Sequence, residues 1–193
     1  KIVDALGDGN RVQGGNVDLG TDDFSVSFWA YKFRDWDEQW VVGQHVDSNN
    51  FWWIRGNGND PPTFQLGCEV GNVSLFSDAD NTSLDGADYI EDWMHVTLTV
   101  DRSDTSNGIQ WYINGSATSN GGVETGHADA SKEQTTTSLS LSKGRITIGV
   151  AEYDGYDDHH FDGKIDGLLI YTKKLEAAEV LRNYNATKGS HRN

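Results

Sequence analysis

Short segments in which apolar and polar residues alternate recur along this chain, and they constrain its fold more than any other feature. In residues 24–33, Phe24, Val26, Phe28 and Ala30 fall on one face of an extended strand. Clear strand signals also cover residues 93–100, 109–113, 145–149 and 164–171, with weaker ones at residues 11–19, 39–45, 50–55, 63–70 and 73–76. Glycine, asparagine and aspartate separate these segments. The pattern predicts an all-β fold of antiparallel sheets.

One segment near the end of the chain has a different period. Leu175, Ala178, Leu181 and Tyr184 recur every three residues, which predicts an amphipathic helix over residues 175–184. Residues 77–91 and 116–143 are rich in turn-forming residues and are expected to be long loops. Without an internal repeat or a linker, residues 1–193 are expected to form one domain.

The charge of the chain limits its partners. The formal net charge is −15 and the isoelectric point about 4.5, which argues against nucleic acid and anionic membranes as partners. No apolar stretch reaches the roughly 18 residues that span a bilayer, so no membrane insertion is expected. Most acidic residues are interpreted as a solvated surface. Cys68 is the only cysteine, so an intrachain disulfide is excluded and a buried thiol is expected.

Several motifs, taken in order, resemble the laminin G-like and pentraxin-like jelly rolls of the concanavalin A-like superfamily. They occupy residues 16–20, 24–30, 92–101, 110–115, 146–149 and 161–171, followed by the helix. The resemblance implies a two-sheet antiparallel jelly-roll sandwich with one short C-terminal helix, which meets ligands on loops or on a concave face. Because members of this fold have many functions, the resemblance alone does not fix the function.

The resemblance also implies a calcium site. Pentraxins carry an Asp-Asn pair and a Glu-x-Asp cluster that share calcium, and the matching residues here are Asp47, Asn49, Glu152 and Asp154. Calcium prefers six to eight oxygen ligands, which flexible acidic loops can supply. This chain departs from the family pattern, since Asp47 and Asn49 are not adjacent and one extra residue separates Gly149 from Glu152. The alternative is a pair of solvated acidic turns. A second, structural calcium near Asp8, Asp162 and Asp166 is also suggested by laminin G-like domains.

Aromatic side chains outside the clearest predicted strands are candidates for stacking against sugar rings. The candidates are Trp36, Trp40, Trp52, Trp53, Tyr153 and Tyr156. Trp52 and Trp53 are adjacent in a predicted strand, so one of them must point away from the core. The alternative is that this side chain covers a neighbouring sheet or an assembly interface.

A catalytic site is less well supported by the sequence. Residues 152–157 resemble the Glu-x-Asp-x-x-Glu arrangement of laminarinase-type glycoside hydrolases, but the last acid is Asp157. His159 and His160 are adjacent, so on a strand they would point to opposite faces and not share a metal.

These observations favour a non-catalytic, extracellular, lectin-like recognition module with calcium-assisted carbohydrate binding. The alternative is a structural protein that decorates a virion or builds a surface assembly, working as a homo-oligomer or within a larger assembly. A laminarinase-like glycoside hydrolase ranks third. The expected partners are a glycan or a protein of the cell or virion surface, and the expected location is extracellular, on a cell surface or on a virion.

Overall fold

The structure, a computed structural model, is a sandwich of two six-stranded antiparallel sheets. It describes residues 3–5, 12–32, 39–47, 50–57, 63–70, 73–78, 92–104, 108–117, 140–150 and 160–191. The strands are β1 (Val3–Ala5), β2 (Val12–Val17), β3 (Phe24–Lys32), β4 (Trp40–Asp47), β5 (Asn50–Asn57), β6 (Thr63–Val70), β7 (Val73–Asp78), β8 (Trp93–Val100), β9 (Ile109–Ile113), β10 (Ser116–Ala117), β11 (Gly144–Ile148) and β12 (Gly163–Tyr171). The first sheet has the order β1-β12-β3-β8-β9-β10, and the second has the order β2-β11-β4-β5-β6-β7. The predicted jelly-roll sandwich is confirmed.

The predicted strands are present, because their alternation matches the two environments that a sandwich offers. The bounds of β6, β8 and β9 are those predicted, and the other predicted strands differ by up to two residues at an end. The short edge strands β1 and β10 were not predicted, since two or three residues carry no measurable period. The tight turn at Asn114 and Gly115 joins β9 to β10, and both residues have positive φ, 51° and 81°.

The core lies between the sheets and is built from the faces that the alternation predicts. Phe24, Val26, Phe28 and Ala30 on β3 are all buried there. The matching side chains of β8, β9, β5 and β12 complete this cluster, and they include Met94, Val96, Leu98, Val100, Trp111, Ile113, Trp52, Ile54 and Ile165.

The C-terminal segment covers the outer face of the first sheet. The helix α1 (Ala177–Thr187) is followed by a short 3₁₀ turn (Lys188–Ser190). The predicted helix began at residue 175, but Glu176 is still extended, with φ −76° and ψ 153°. Of the helices that the structure describes, none is long and apolar enough to cross a membrane.

Because the C-terminal segment packs over the first sheet, polar residues on the outer face of that sheet are buried. His95, Thr97 and Thr99 lie on the face of β8 opposite the core, yet all three are buried. The Ser27 Oγ lies 3.0 Å from both His95 Nε2 and Thr97 Oγ1. Both faces of the central strands β3 and β8 are therefore removed from solvent, one by the second sheet and one by the C-terminal segment.

Candidate ligand-binding face

The outer face of the second sheet is the side of the sandwich that α1 does not cover. The strand register places Thr147, Gly43 and Trp53 side by side across β11, β4 and β5. The neighbouring row is Arg145, His45 and Phe51. We call the face that carries these two rows, with Trp40 and Arg55, the outer aromatic face.

A bulge in β4 brings Trp40 onto this face. The pairing with β5 shifts between Trp40, which is opposite Arg55, and Val42, which is opposite Ile54. Val41 and Val42 both pack into the main core as a result. Bulges commonly redirect a side chain in this way.

Three aromatic side chains of the face pack against one another. Trp40, Phe51 and Trp53 form a separate cluster in which the Trp40 and Trp53 ring centroids are 5.0 Å apart, with their planes at 54°. The guanidinium of Arg55 lies 4.7 Å from the centre of the Trp53 ring, within the range of a cation–π contact. Trp40 is 8% exposed and Trp53 is 7% exposed. These two predicted stacking residues therefore mainly consolidate the face and offer little free ring surface to a ligand.

Beside this cluster is a shallow depression with an empty volume of about 260 Å³. Its lining consists of Trp40, Gly43, Gln44, His45, Phe51, Trp52 and Thr147. Gly43 is required here because a Cβ would lie 2.9 Å from the carbonyl oxygen of Trp52. The depression is shallow, so it can hold part of a ligand rather than a whole one.

Trp52 lies on the opposite side of β5, and its predicted stacking role does not agree with its position. It is 1% exposed in the core, packed against Phe24 with ring centroids 5.6 Å apart. Its indole nitrogen donates a hydrogen bond of 3.0 Å to the side-chain oxygen of Gln44. A ring enclosed in this way has no free face for a sugar. The expectation that one of the two adjacent tryptophans points away from the core is met by Trp53.

Asp47, a predicted calcium ligand, lies at the end of β4 and is exposed. The Asn50 side-chain amide lies 3.0 and 3.1 Å from its two carboxylate oxygens. The Asn50 side-chain oxygen in turn accepts a hydrogen bond of 2.9 Å from the backbone of Ser140. An exposed carboxylate on a turn fits the oxygen chemistry that calcium requires, but one carboxylate supplies only part of a site.

The other predicted ligands, Asn49, Glu152 and Asp154, lie outside the described residues, as do Trp36, Tyr153 and Tyr156. The described flanks of the acidic segment 151–159 are near the start of β4. The Gly149 backbone donates a hydrogen bond of 2.9 Å to the carbonyl of Val41, and His160 forms a parallel bridge with Trp40. Asp47 is at the other end of the same strand. Among the residues that the structure describes, no three His, Cys, Asp or Glu side chains cluster as a metal site would.

The second calcium site considered from the sequence is not supported at Asp166. One oxygen of this carboxylate accepts a hydrogen bond of 2.8 Å from the Gly167 backbone, and the other lies 2.9 Å from His191 Nε2. Asp166 therefore has a histidine ring as one of its partners, and the second calcium site stays a prediction. Asp162 is half-buried, and Asp8 lies outside the described residues.

Sequence reasoning missed four residues of the outer aromatic face: His45, Phe51, Arg55 and Thr147. The period of two along β5 could have found Phe51 and Arg55, since they alternate with the core residues Trp52 and Ile54. His45 and Thr147 depend on the register between strands, which no local pattern reveals.

Solved structures with a similar fold include several binding domains. The native heptameric SAP-like pentraxin from Limulus polyphemus has a TM-score of 0.65 and 14% identity, over 93% of this chain and 79% of that chain. The binding domain of botulinum neurotoxin serotype D has a TM-score of 0.64 and 20% identity, over 96% of this chain and 42% of that chain. The corresponding domain of botulinum neurotoxin DC, solved in complex with rat synaptotagmin II, has a TM-score of 0.57 and 19% identity, over 86% of this chain and 36% of that chain. This chain thus spans about two fifths of the toxin domains, and at these identities the likeness concerns the fold.

The sequence itself matches a family model described as the concanavalin A-like lectin/glucanases superfamily over residues 6–181. No curated protein matches the chain. The family match covers most of the chain and agrees with the observed sandwich and its C-terminal helix. The chain therefore belongs to the concanavalin A-like lectin/glucanases superfamily.

Proposed function

We propose that this chain is a non-catalytic, extracellular recognition module that binds a carbohydrate through the outer aromatic face, with calcium bound near Asp47. The observation that carries the proposal is the difference between the two outer faces of the sandwich. The C-terminal segment packs over the first sheet, whereas the second sheet carries a depression with aromatic, imidazole and hydroxyl groups at its edge.

The composition of the depression supports a sugar as the ligand. Phe51 and Trp40 form the apolar part of its lining, while His45 and Thr147 carry groups that can exchange hydrogen bonds with hydroxyls. Its small volume fits one end or one edge of a saccharide that extends over the rest of the sheet. The pentraxin and toxin structures support a binding role, since the toxin structures are described as binding domains.

The calcium part of the proposal depends on the exposed carboxylate of Asp47. Asp47 is exposed at a turn, and its Asn50 partner could move aside to leave both carboxylate oxygens for a metal ion. A bound cation would also reduce the repulsion among the acidic residues of a chain with a net charge of −15.

The test is a glycan array probed with the purified chain in millimolar calcium and again in EDTA. We expect binding in calcium and loss of binding in EDTA. The Asp47→Asn variant should reproduce the EDTA result, while Asp18→Asn, at another exposed aspartate, should bind normally. If the wild-type chain binds no glycan on the array in either condition, the carbohydrate proposal is rejected.

The site on the sheet can be tested separately from the metal. Thr147→Val removes a hydroxyl at the depression with little change in volume and should weaken binding of any glycan that the array identifies. Thr99→Val is the matched control, because Thr99 is a buried threonine of the first sheet. Equal affinity of these two variants would place the ligand elsewhere.

The second candidate function is that of a virion-decoration or surface-assembly subunit. It is favoured by two large apolar side chains exposed on the outside of the first sheet and on the helix, Leu169 at 49% and Leu181 at 47%. The heptameric state named for the pentraxin structure is consistent with such a role. Light scattering at increasing protein concentration separates the two candidates: a constant monomer mass disfavours assembly of identical subunits.

A further inference from the structure

The last described residue, His191, is enclosed by aromatic rings on the outer face of the first sheet. Its ring stacks on Trp29, with centroids 4.2 Å apart and planes within 7°. Trp93 meets the same ring edge-on, with centroids 4.9 Å apart. The side chain of His191 is only 7% exposed. The ring of His191 is thus largely enclosed, although the residue lies close to the end of the described chain.

Both ring nitrogens of His191 face oxygen acceptors. Nε2 lies 2.9 Å from a carboxylate oxygen of Asp166, and Nδ1 lies 3.1 Å from the carbonyl oxygen of Thr187. A neutral imidazole has one N–H group and can donate only one of these hydrogen bonds, whereas an imidazolium has two and can donate both. The carboxylate and the face of the Trp29 ring also favour a cation at this place.

We propose that Trp29, Trp93 and Asp166 form a cation site for the protonated ring of His191, and that this proton fastens the C-terminal segment to the first sheet. The residue that occupies this site, His191, belongs to the same chain. We call His191, Trp29, Trp93 and Asp166 together the clasp, because they hold the C-terminal segment on the outer face of the first sheet. The clasp lies on the first sheet and takes no part in the ligand binding that we propose for the second sheet.

The clasp is joined to the helix and the sheet by further contacts. Trp29 donates a hydrogen bond of 3.0 Å from its indole nitrogen to the hydroxyl of Thr187, the last residue of α1. The same indole lies 5.8 Å from the ring of Tyr184, centroid to centroid. Trp29 therefore contacts His191 and two side chains of α1, so loss of the His191 contact is expected to loosen the end of the helix first.

The charged and titratable groups around the clasp come from several elements. Asp166 on β12 faces His191 directly. Burial is the largest single effect and opposes its ionisation, but the hydrogen bonds from His191 and the Gly167 backbone, together with nearby positive charge, lower the Asp166 pKa. Lys188 of the 3₁₀ turn lies over Tyr184, at 5.2 Å from the ring centre. Lys164 on β12 lies over Tyr31, at 4.9 Å from the ring centre. The two lysines are thus held over other rings of this surface.

His95 on β8 is the second histidine of this region, and it lies edge-on to Trp29, with centroids 5.0 Å apart. Burial, and then the nearby charge of His191, lower the His95 pKa to about 4. His95 is therefore neutral where His191 is protonated, and the two rings do not repel each other. In acid below about pH 4, His95 would become charged as well, and the clasp would open.

The first test determines directly whether the ring of His191 is protonated. Side-chain ¹⁵N chemical shifts of the histidines distinguish imidazolium from the two neutral tautomers. At pH 6 we expect both nitrogens of His191 to be protonated and His95 to be neutral. Asp166→Asn removes the carboxylate that faces Nε2, so the His191 signals at pH 6 should move towards those of a neutral ring. A neutral His191 at pH 6 in the wild-type chain would overturn the proposal.

The second test measures how firmly the C-terminal segment is held on the first sheet. Amide hydrogen exchange in residues 177–191 should be about tenfold faster in His191→Gln than in the wild-type chain at pH 6, since a hydrogen bond to a charged group is lost. His160→Gln, at a half-buried histidine near the second sheet, is the matched control and should leave this exchange unchanged. Identical protection of this segment in the variant and the wild-type chain would contradict the clasp.

Discussion

Trp52 Nε1 donates a hydrogen bond of 3.0 Å to Gln44 Oε1 inside the core of the sandwich. The amide nitrogen of the same Gln44 donates to the carbonyl oxygens of Val17, Leu141 and Gly144, at 2.6, 3.3 and 3.2 Å. One buried side chain thus connects β4 to β5, to the end of β2 and to the chain that enters β11. A polar residue in a core is stable only when it is satisfied in this way.

Gln44→Leu should therefore lower the free energy of unfolding by about 3 kcal/mol, because it leaves the Trp52 N–H and nearby carbonyl groups buried without their partner. Urea denaturation followed by tryptophan fluorescence measures this. Gln110→Leu is the matched control on β9, where the glutamine is only half-buried, and should change the stability by less than about 1 kcal/mol. Equal losses of unfolding free energy in Gln44→Leu and Gln110→Leu would show that the hydrogen bonds of Gln44 contribute no more to stability than those of Gln110.

The turn between β8 and β9 gives a second prediction. A Cβ on Gly108 would overlap the Asp101 carbonyl oxygen and would lie 2.5 Å from that of Asp104, so there is no room for a side chain at this position. Gly108→Ala should lower the melting temperature by several degrees, as expected for about 2 kcal/mol or more of backbone strain. Gly189→Ala, where a Cβ meets nothing within 4 Å, should leave the melting temperature nearly unchanged.

Much of the fold could be predicted because alternation reports local environment. The period along β3 correctly separated Phe24, Val26 and Phe28 from Trp29, and the adjacent pair Trp52 and Trp53 had to face opposite ways. The helix was found from its period of about three, although its first turn was placed too early at Leu175. These features depend on residues close together in the sequence, where the side-chain direction follows directly from backbone geometry.

The buried polar groups could not be predicted, because they depend on which elements pack together. The alternation of β8 assigns His95 to the face away from the core, and only the placement of α1 buries it. The pairing of Asp166 with His191 likewise joins a strand to a segment 25 residues later. The outer aromatic face could not be predicted for the same reason. Thr147 and Trp53 come together only through the register of β11 with β4 and of β4 with β5.

His95 gives the chain a pH-dependent stability. Its pKa is lowered, first by burial and then by the charge of His191, from 6.5 to about 4, so the unfolded chain binds a proton that the folded chain does not bind between these values. Stability should therefore fall as the pH drops from 6.5 to 4, by on the order of 3 kcal/mol.

Urea denaturation at pH 6.5, 5 and 4 measures this dependence. His95→Gln keeps a polar side chain beside Ser27 but cannot titrate, so its stability should vary less over the same range. His160→Gln should follow the wild-type chain. A His95→Gln variant with the full wild-type loss would show that other groups cause the acid sensitivity.

Asp101 predicts a separate effect at lower pH. One of its carboxylate oxygens accepts hydrogen bonds from the Ser103 hydroxyl and backbone, at 2.7 and 3.0 Å, and from the Asp104 backbone, at 3.1 Å. The other accepts a hydrogen bond of 3.3 Å from Lys174, just before α1. The hydrogen bond from the Ser103 side chain is the largest of the causes that lower the Asp101 pKa to about 2. Because the folded carboxyl is the stronger acid, its stabilising effect is present above pH 3.8 and is lost as the pH falls towards 2.

Asp101→Asn keeps the shape of the turn but cannot ionise, so it should remove part of the stability loss that the wild-type chain shows between pH 4 and pH 2.5. At neutral pH the variant should be slightly less stable, since Lys174 loses its ionic partner. Chemical denaturation at pH 7, 4 and 2.5 measures both effects. Asp22→Asn, at an exposed aspartate, is the matched control and should keep the wild-type profile. If Asp101→Asn loses as much stability as the wild-type chain below pH 4, the ionised form of Asp101 does not stabilise the link between the turn and the C-terminal segment.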